Sequence, residues 1–220
     1  EDLPEASFAG QQESYLNVQG IDGVLARCRD CFASLYTDRA IAYREEKGFI
    51  HQQVGLSVGI QTMVPADGAG VLFTLDTETG FPDAILISAA WGLGETVVKG
   101  AVNPDRYMVY KPLLEKRELA PIIEKTCGSK LSKMVYTPSG SEMREGATKV
   151  VDTNRSEQVS YVLSDTDILA LSRWALLIER HYQYAMDIEW VKAGACLYIV
   201  QARPETVEST ADRQLLLKYK

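Results

Sequence analysis

Met186-Asp187-Ile188-Glu189-Trp190, a break at Ala193-Gly194-Ala195, and then Leu197-Tyr198-Ile199-Val200-Gln201-Ala202-Arg203-Pro204-Glu205 form the stretch on which the fold turns. Both arms alternate polar with apolar residues, the period of a half-buried strand, and only small residues separate them, so the spacing predicts a β-hairpin. Asp187 and Glu189 occupy odd positions on the first arm, Gln201 and Arg203 odd positions on the second. A register that pairs odd with odd puts all four on one face, and a slip of one residue scatters them. It also sends Ile188, Trp190, Tyr198 and Val200 to the opposite face, toward the core. Two carboxylates and an amide oxygen can meet a hard cation, and an arginine fork beside them can hold a phosphate oxygen. Magnesium is commonly held by one or two carboxylates together with the phosphates of its nucleotide, so the quartet suits a Mg-nucleotide site. On spacing alone the same residues also describe the solvated face of an ordinary hairpin.

Working outward, Asp187-Ile188-Glu189-Trp190 with Gln201-Ala202-Arg203-Pro204-Glu205 resembles the signature that closes the ATP-grasp domain of the pyruvate-phosphate-dikinase superfamily. A second stretch, Asp2-Leu3-Pro4-Glu5-Ala6-Ser7-Phe8-Ala9-Gly10-Gln11-Gln12-Glu13-Ser14-Tyr15-Leu16-Asn17-Val18, is similar to the nucleotide-loop motif of its phosphoenolpyruvate synthase (pyruvate, water dikinase) branch. The resemblance covers about residues 1–207 and implies an α+β, ATP-grasp-like domain with an antiparallel-rich sheet that lacks its N-terminal portion. Residues 208–220 then read as a linker toward a swivelling phosphohistidine domain. The resemblance further implies that the whole protein converts ATP, pyruvate and water into AMP, phosphoenolpyruvate and phosphate, with pyruvate bound by a further C-terminal domain. This chain by itself is expected to be inactive, because the lysine and arginine that clamp phosphates in the family precede its first residue.

By the same resemblance, Asp187, Glu189 and Gln201 hold magnesium, and Arg203 is the catalytic cation on the triphosphate. Gly10 and Ser14 contact phosphate and Gln61 the adenosine end. Taken alone, residues 7–14 can present backbone N–H groups and the Ser14 hydroxyl ahead of a helix, but they lack the second glycine, Lys and Ser/Thr of a Walker loop. Gln61-Thr62-Met63-Val64 ends an apolar run before Pro65, where free backbone groups can read a purine; otherwise Met63 and Val64 are core. A dikinase-like enzyme with an antibiotic or glucan acceptor, or a non-catalytic nucleotide-binding module, remain the alternatives.

Composition fits this picture. With 220 residues and 46% apolar content the chain can bury a real core. Its net charge of −7 argues against nucleic-acid or anionic-membrane surfaces. No apolar run reaches membrane-spanning length and no secretory leader is visible, which points to the cytoplasm. Cys28 and Cys31 have a redox- or zinc-like gap but no second pair at zinc spacing, so they read as ordinary thiols. Homodimerisation of the whole protein stays open.

Between the motifs, apolar spacing predicts a helix over residues 21–44 with Gly48 as its stop. A strand is expected over 54–64, a second over 70–75 after the turn at Pro65-Ala66-Asp67-Gly68, and a buried one over 84–90. Residues 115–157 read as short edge strands and loops. Ser164-Asp165-Thr166-Asp167 caps a helix whose apolar face is Ile168, Leu169, Leu171, Leu176, Leu177 and Tyr184. Trp91-Gly92-Leu93-Gly94-Glu95 can bring backbone close to a ligand or simply turn the chain. His51 and His181 read as structural, and Lys99 and Arg106 as surface charge.

Overall fold

The computed structural model describes residues 12–116, 119–137 and 148–205; Gly10 and residues 208–220, expected to be a linker, lie outside the described residues. In chain order the elements are α1 (Gly20–Ala33), α2 (Asp38–Lys47), β1 (Gly68–Phe73), β2 (Ala84–Trp91), α3 (Glu95–Val98), β3 (Asp105–Tyr110), β4 (Ile122–Thr126), β5 (Ser132–Tyr136), β6 (Thr148–Asp152), α4 (Arg155–Val159), α5 (Asp165–Tyr182), β7 (Met186–Ala193) and β8 (Cys196–Pro204). They fall into two compact units: residues up to 63 with 136–137 and 148–149, and the remainder. Among the described residues no helix is long and apolar enough to cross a membrane.

The first unit holds α1 and α2, where one continuous helix was expected. The break has a local cause. Ser34 turns its hydroxyl to the Cys31 carbonyl at 2.7 Å and to Gln12 Oε1 at 2.8 Å, and Thr37 then caps α2 by accepting from the Ala40 N–H. Competition of this kind for backbone groups is what makes Ser and Thr poor helix interiors and good caps. Gly48 ends α2 in the left-handed region, φ 73°, as expected. Residues 54–64 keep a period-two rhythm, with Val54, Leu56 and Val58 half-buried between exposed neighbours. Among the described residues they form no strand; alternation by itself specifies a face, not a ladder.

The second unit is built on a six-stranded antiparallel sheet ordered β4-β3-β2-β1-β7-β8, with β5 and β6 paired separately. Together with the helices this is the expected α+β architecture. Strands β1 and β2 match the expected ones to within about two residues at each end, and β4, β5 and β6 are the short strands expected between 115 and 157. The continuous apolar run of β2 is explained by burial on both faces. Helix α5 starts at Ser164 with a full capping box to Asp167. Its Ile168, Leu171 and Ala175 meet Leu72, Ile85, Ile87, Tyr107, Val109, Ile188 and Trp190 in one apolar core. Leu177 and Tyr184 are exposed at 63% and 66%, against expectation: Leu177 lies beyond the buried stripe, and Tyr184 follows the left-handed Gln183 that ends the helix.

Two close approaches explain local sequence. A Cβ on Gly70 would sit 1.8 Å from the Ser88 carbonyl oxygen and 2.8 Å from the Trp190 ring, so only glycine lets β1 pass between them. Gly92 has φ 78°, and a Cβ there would lie 2.3 Å from the Met134 carbonyl oxygen. The glycine loop thus admits the backbone of β5. Glu95, just beyond it, pairs with Lys99 at 2.5 Å.

A buried polar cluster fastens the start of β3. Asp105 and Lys130 are both fully buried and ion-paired. Asp105 also accepts from Gly128 N at 2.9 Å, Val162 N at 2.8 Å and the Tyr107 hydroxyl at 3.1 Å. One carboxylate therefore joins the first residue of β3, the 127–130 loop and the segment that leads into α5. Burial, and next the Asp105 charge, push the Tyr107 hydroxyl far above its ordinary range.

Candidate functional site

The hairpin closes through Gly194, φ 57°, whose N–H donates to Asp67 Oδ2 at 2.6 Å. Its register pairs Asp187 with Arg203 and Glu189 with Gln201, as the odd-with-odd alignment requires. Directly opposed residues on an antiparallel pair hold their Cβ atoms about 4.5–5.5 Å apart, so the four polar side chains share one small patch. Ile188 and Trp190 are buried on the other face, at 0% and 1% exposure.

Beyond Glu189 the register shifts, since Trp190 pairs with Ile199 and Val200 becomes the extra residue of a bulge. Parity on β8 is therefore reversed toward the turn. Leu197, Ile199 and Ala202 pack against the core, whereas Tyr198, expected there, is 42% exposed, and Val200 is not among the core-packing residues. The quartet escapes this reversal because all four of its members lie on the same side of the bulge.

The face continues across the sheet. Glu189 aligns with Val71, Ser88, Arg106 and Thr126; Asp187 aligns with Phe73, Leu86, Met108 and Glu124. Beside the charged hairpin there is thus a floor of Val71, Phe73, Leu86 and Met108, and beyond it Arg106, paired to Glu78 at 2.8 Å. This floor escaped the reading of the sequence, as did β3. Arg106-Tyr107-Met108-Val109 mixes aromatic and apolar residues on both faces, leaving no clean alternation to detect.

Arg203 donates through Nε at 2.9 Å and Nη2 at 2.8 Å to a single oxygen, Oδ2 of Asp187. The Asp187 side chain is 12% exposed and that of Arg203 34%. Oδ1 of Asp187 is buried without a hydrogen-bond partner. Glu189 and Gln201 are half-buried at the same face. Among the described residues no group of three or more His, Cys, Asp and Glu could hold a metal ion; the donor set here is two carboxylates and an amide. Glu189 and Gln201 fit a magnesium ion that draws its remaining ligands from water and phosphate.

Ser14 and Gln61 belong to the first unit, where both are exposed. His51 Nδ1 accepts from Arg44 Nε at 3.0 Å, and His181 packs edge-on to Tyr182, so both have structural contacts. Lys99 is engaged by Glu95.

A family model described as pyruvate phosphate dikinase, AMP/ATP-binding domain, matches residues 1–218. The chain belongs to this family. Its relatives include the phosphoenolpyruvate synthases of Synechocystis, 55% identical over all of this chain and 27% of that protein, and of Pseudomonas aeruginosa, 52% identical over all of this chain and 28% of that protein. The Escherichia coli phosphoenolpyruvate synthase is 48% identical, again over all of this chain and 28% of its own length. The chain thus spans little more than a quarter of these relatives, and the AMP/ATP-binding domain is the part of them to which it corresponds.

Proposed function

We propose that this AMP/ATP-binding domain serves a phosphoenolpyruvate synthase, in which ATP, pyruvate and water become AMP, phosphoenolpyruvate and phosphate by way of a phosphohistidine. The reading is supported by the relatives and by the cross-strand convergence of Asp187, Glu189, Gln201 and Arg203, which is the observation that carries it. Residues 1–207 would form part of the nucleotide domain and 208–220 the link to the swivelling domain, with pyruvate bound elsewhere in the longer protein. We assign no turnover to the 220 residues alone and place the protein in the cytoplasm.

Phosphoryl transfer needs positioning and charge neutralisation more than covalent participation. Glu189 and Gln201 would hold Mg2+, which when bound supplies Lewis-acid neutralisation of the polyphosphate. Arg203 would orient the phosphates with its planar fork and neutralise charge as it gathers on the departing nucleotide. The floor of Val71, Phe73, Leu86 and Met108 offers dry surface beside those charges, and a low-dielectric wall strengthens them. Gly10 and Ser14 would steady phosphate oxygens, and Gln61 the adenosine.

Glu189→Gln in the full-length gene product tests this. The amide keeps shape and removes the charge that faces the metal. AMP formation should fall at least ~100-fold, equivalent to about 2.7 kcal/mol of transition-state stabilisation, with the thermal midpoint unchanged. Normal turnover at limiting magnesium would make Glu189 a surface carboxylate and end the reading.

A further inference from the structure

Asp187 was expected among the metal ligands. Its surroundings suit a different task, and we propose that it is a positioning residue that holds the Arg203 guanidinium in one orientation. The proposal rests on the nucleotide-site reading above and assigns Asp187 a part in it. Three observations carry it.

Both N–H groups on one edge of the guanidinium, Nε and Nη2, converge on Oδ2 of Asp187. Two bonds from one planar group to one acceptor fix its direction, which a single contact would leave free to swing. The two residues are also directly opposed across β7 and β8, on the regular side of the Val200 bulge, so their backbones are held by the ladder. Asp187 is moreover flanked in register by Phe73 on β1 and is 12% exposed, against 34% for Arg203. The carboxylate is the buried member of the pair and the guanidinium the one that reaches solvent, the order expected when the first anchors the second.

Metal ligation by Asp187 meets two obstacles here. Oδ2 already faces a full positive charge, and a second cation on that oxygen would be repelled by the first. Oδ1 is buried without a partner, so water, several molecules of which magnesium usually keeps in its coordination shell, does not reach it. Glu189 lies two residues along on the same face, half-buried and directly opposite Gln201. The assignment divides the labour: Glu189 and Gln201 serve the cation, and Asp187 serves the arginine. An arginine held in place before the nucleotide arrives has already lost its rotamer freedom, so less is lost when phosphate binds.

The experiment uses the full-length gene product and follows ATP-dependent AMP formation with ATP and Mg2+ varied separately. Asp187→Asn should lower kcat/KM for ATP roughly 10- to 100-fold, the scale of a misplaced catalytic group. The Mg2+ activation midpoint should stay within about twofold of wild type, whereas Glu189→Gln should raise it. On an Arg203→Ala background Asp187→Asn should change the rate by less than about threefold, because the group it positions is gone. Arg203→Lys, which keeps charge but cannot make both bonds, should lose as much as Asp187→Asn, so the proposal stays testable if the asparagine variant folds poorly. A Mg2+ midpoint that shifts in Asp187→Asn as far as in Glu189→Gln, losses that multiply in the double variant, or full activity in Arg203→Lys would each overturn the positioning role. Full activity in both Glu189→Gln and Arg203→Ala would instead remove the nucleotide site, and this assignment with it.

Discussion

Asp105→Asn and Lys130→Met break the same fully buried ion pair, yet the structure makes their costs unequal. Removing one partner of a buried pair generally costs about 3–5 kcal/mol, because the other charge is left uncompensated. In Asp105→Asn the Lys130 ammonium keeps only neutral partners, the Gly128 carbonyl at 2.8 Å and Cys127 Sγ at 3.3 Å. The new amide also turns a donor toward a cluster in which Gly128 N, Val162 N and the Tyr107 hydroxyl are donors already. We expect a loss of about 4–5 kcal/mol. In Lys130→Met the carboxylate retains those three hydrogen bonds and a side chain of similar length fills the space, so about 1–3 kcal/mol is expected. Residue 130 has φ 42°, and the strain is the same for lysine and methionine, which leaves the comparison to the side chain. For a chain of this size each kcal/mol moves the thermal midpoint by about 2–4 °C. The assay is urea and thermal unfolding followed by tryptophan fluorescence; all three tryptophans, Trp91, Trp174 and Trp190, lie in the unit that contains the pair. Asp105→Asn within about 1 kcal/mol of wild type, or Lys130→Met the costlier of the two, would refute the reasoning.

Three further outcomes follow from burial and charge. Trp190→Ala should destabilise by roughly 3–5 kcal/mol in the same unfolding assay, since the ring is 1% exposed in the core. Arg203→Ala should lose about 1–3 kcal/mol because it strands the largely buried Asp187. Stability should also fall in acid: burial works to raise Asp167, but hydrogen bonds from Lys192 and Ser164 and the Lys192 charge outweigh it, and Lys133 and Asn154 do the same for Glu157, so both carboxyls are held low. Their contribution is present above the unfolded values of 3.8 and 4.5 and disappears as pH drops through the lower folded ones. Asp167→Asn should flatten that decline in a pH series of urea midpoints.

The quartet of Asp187, Glu189, Gln201 and Arg203 was legible because strand alternation is a local property and a short hairpin leaves few registers to choose from. The α5 capping box and the glycine stop of α2 were legible for the same reason: each is decided within a few residues of chain. Tertiary structure decided whatever depends on which distant group arrives opposite. It placed the bulge at Val200, which reversed parity and brought Leu197 and Ile199 to the core in place of Tyr198. It set β3 beside β2, buried Asp105 against a lysine 25 positions away, and left residues 54–64 without an assigned strand. It also turned Asp187 toward Arg203. Periodicity states which face a residue occupies, but the partner it meets there is chosen by long-range packing and charge, which no local pattern encodes.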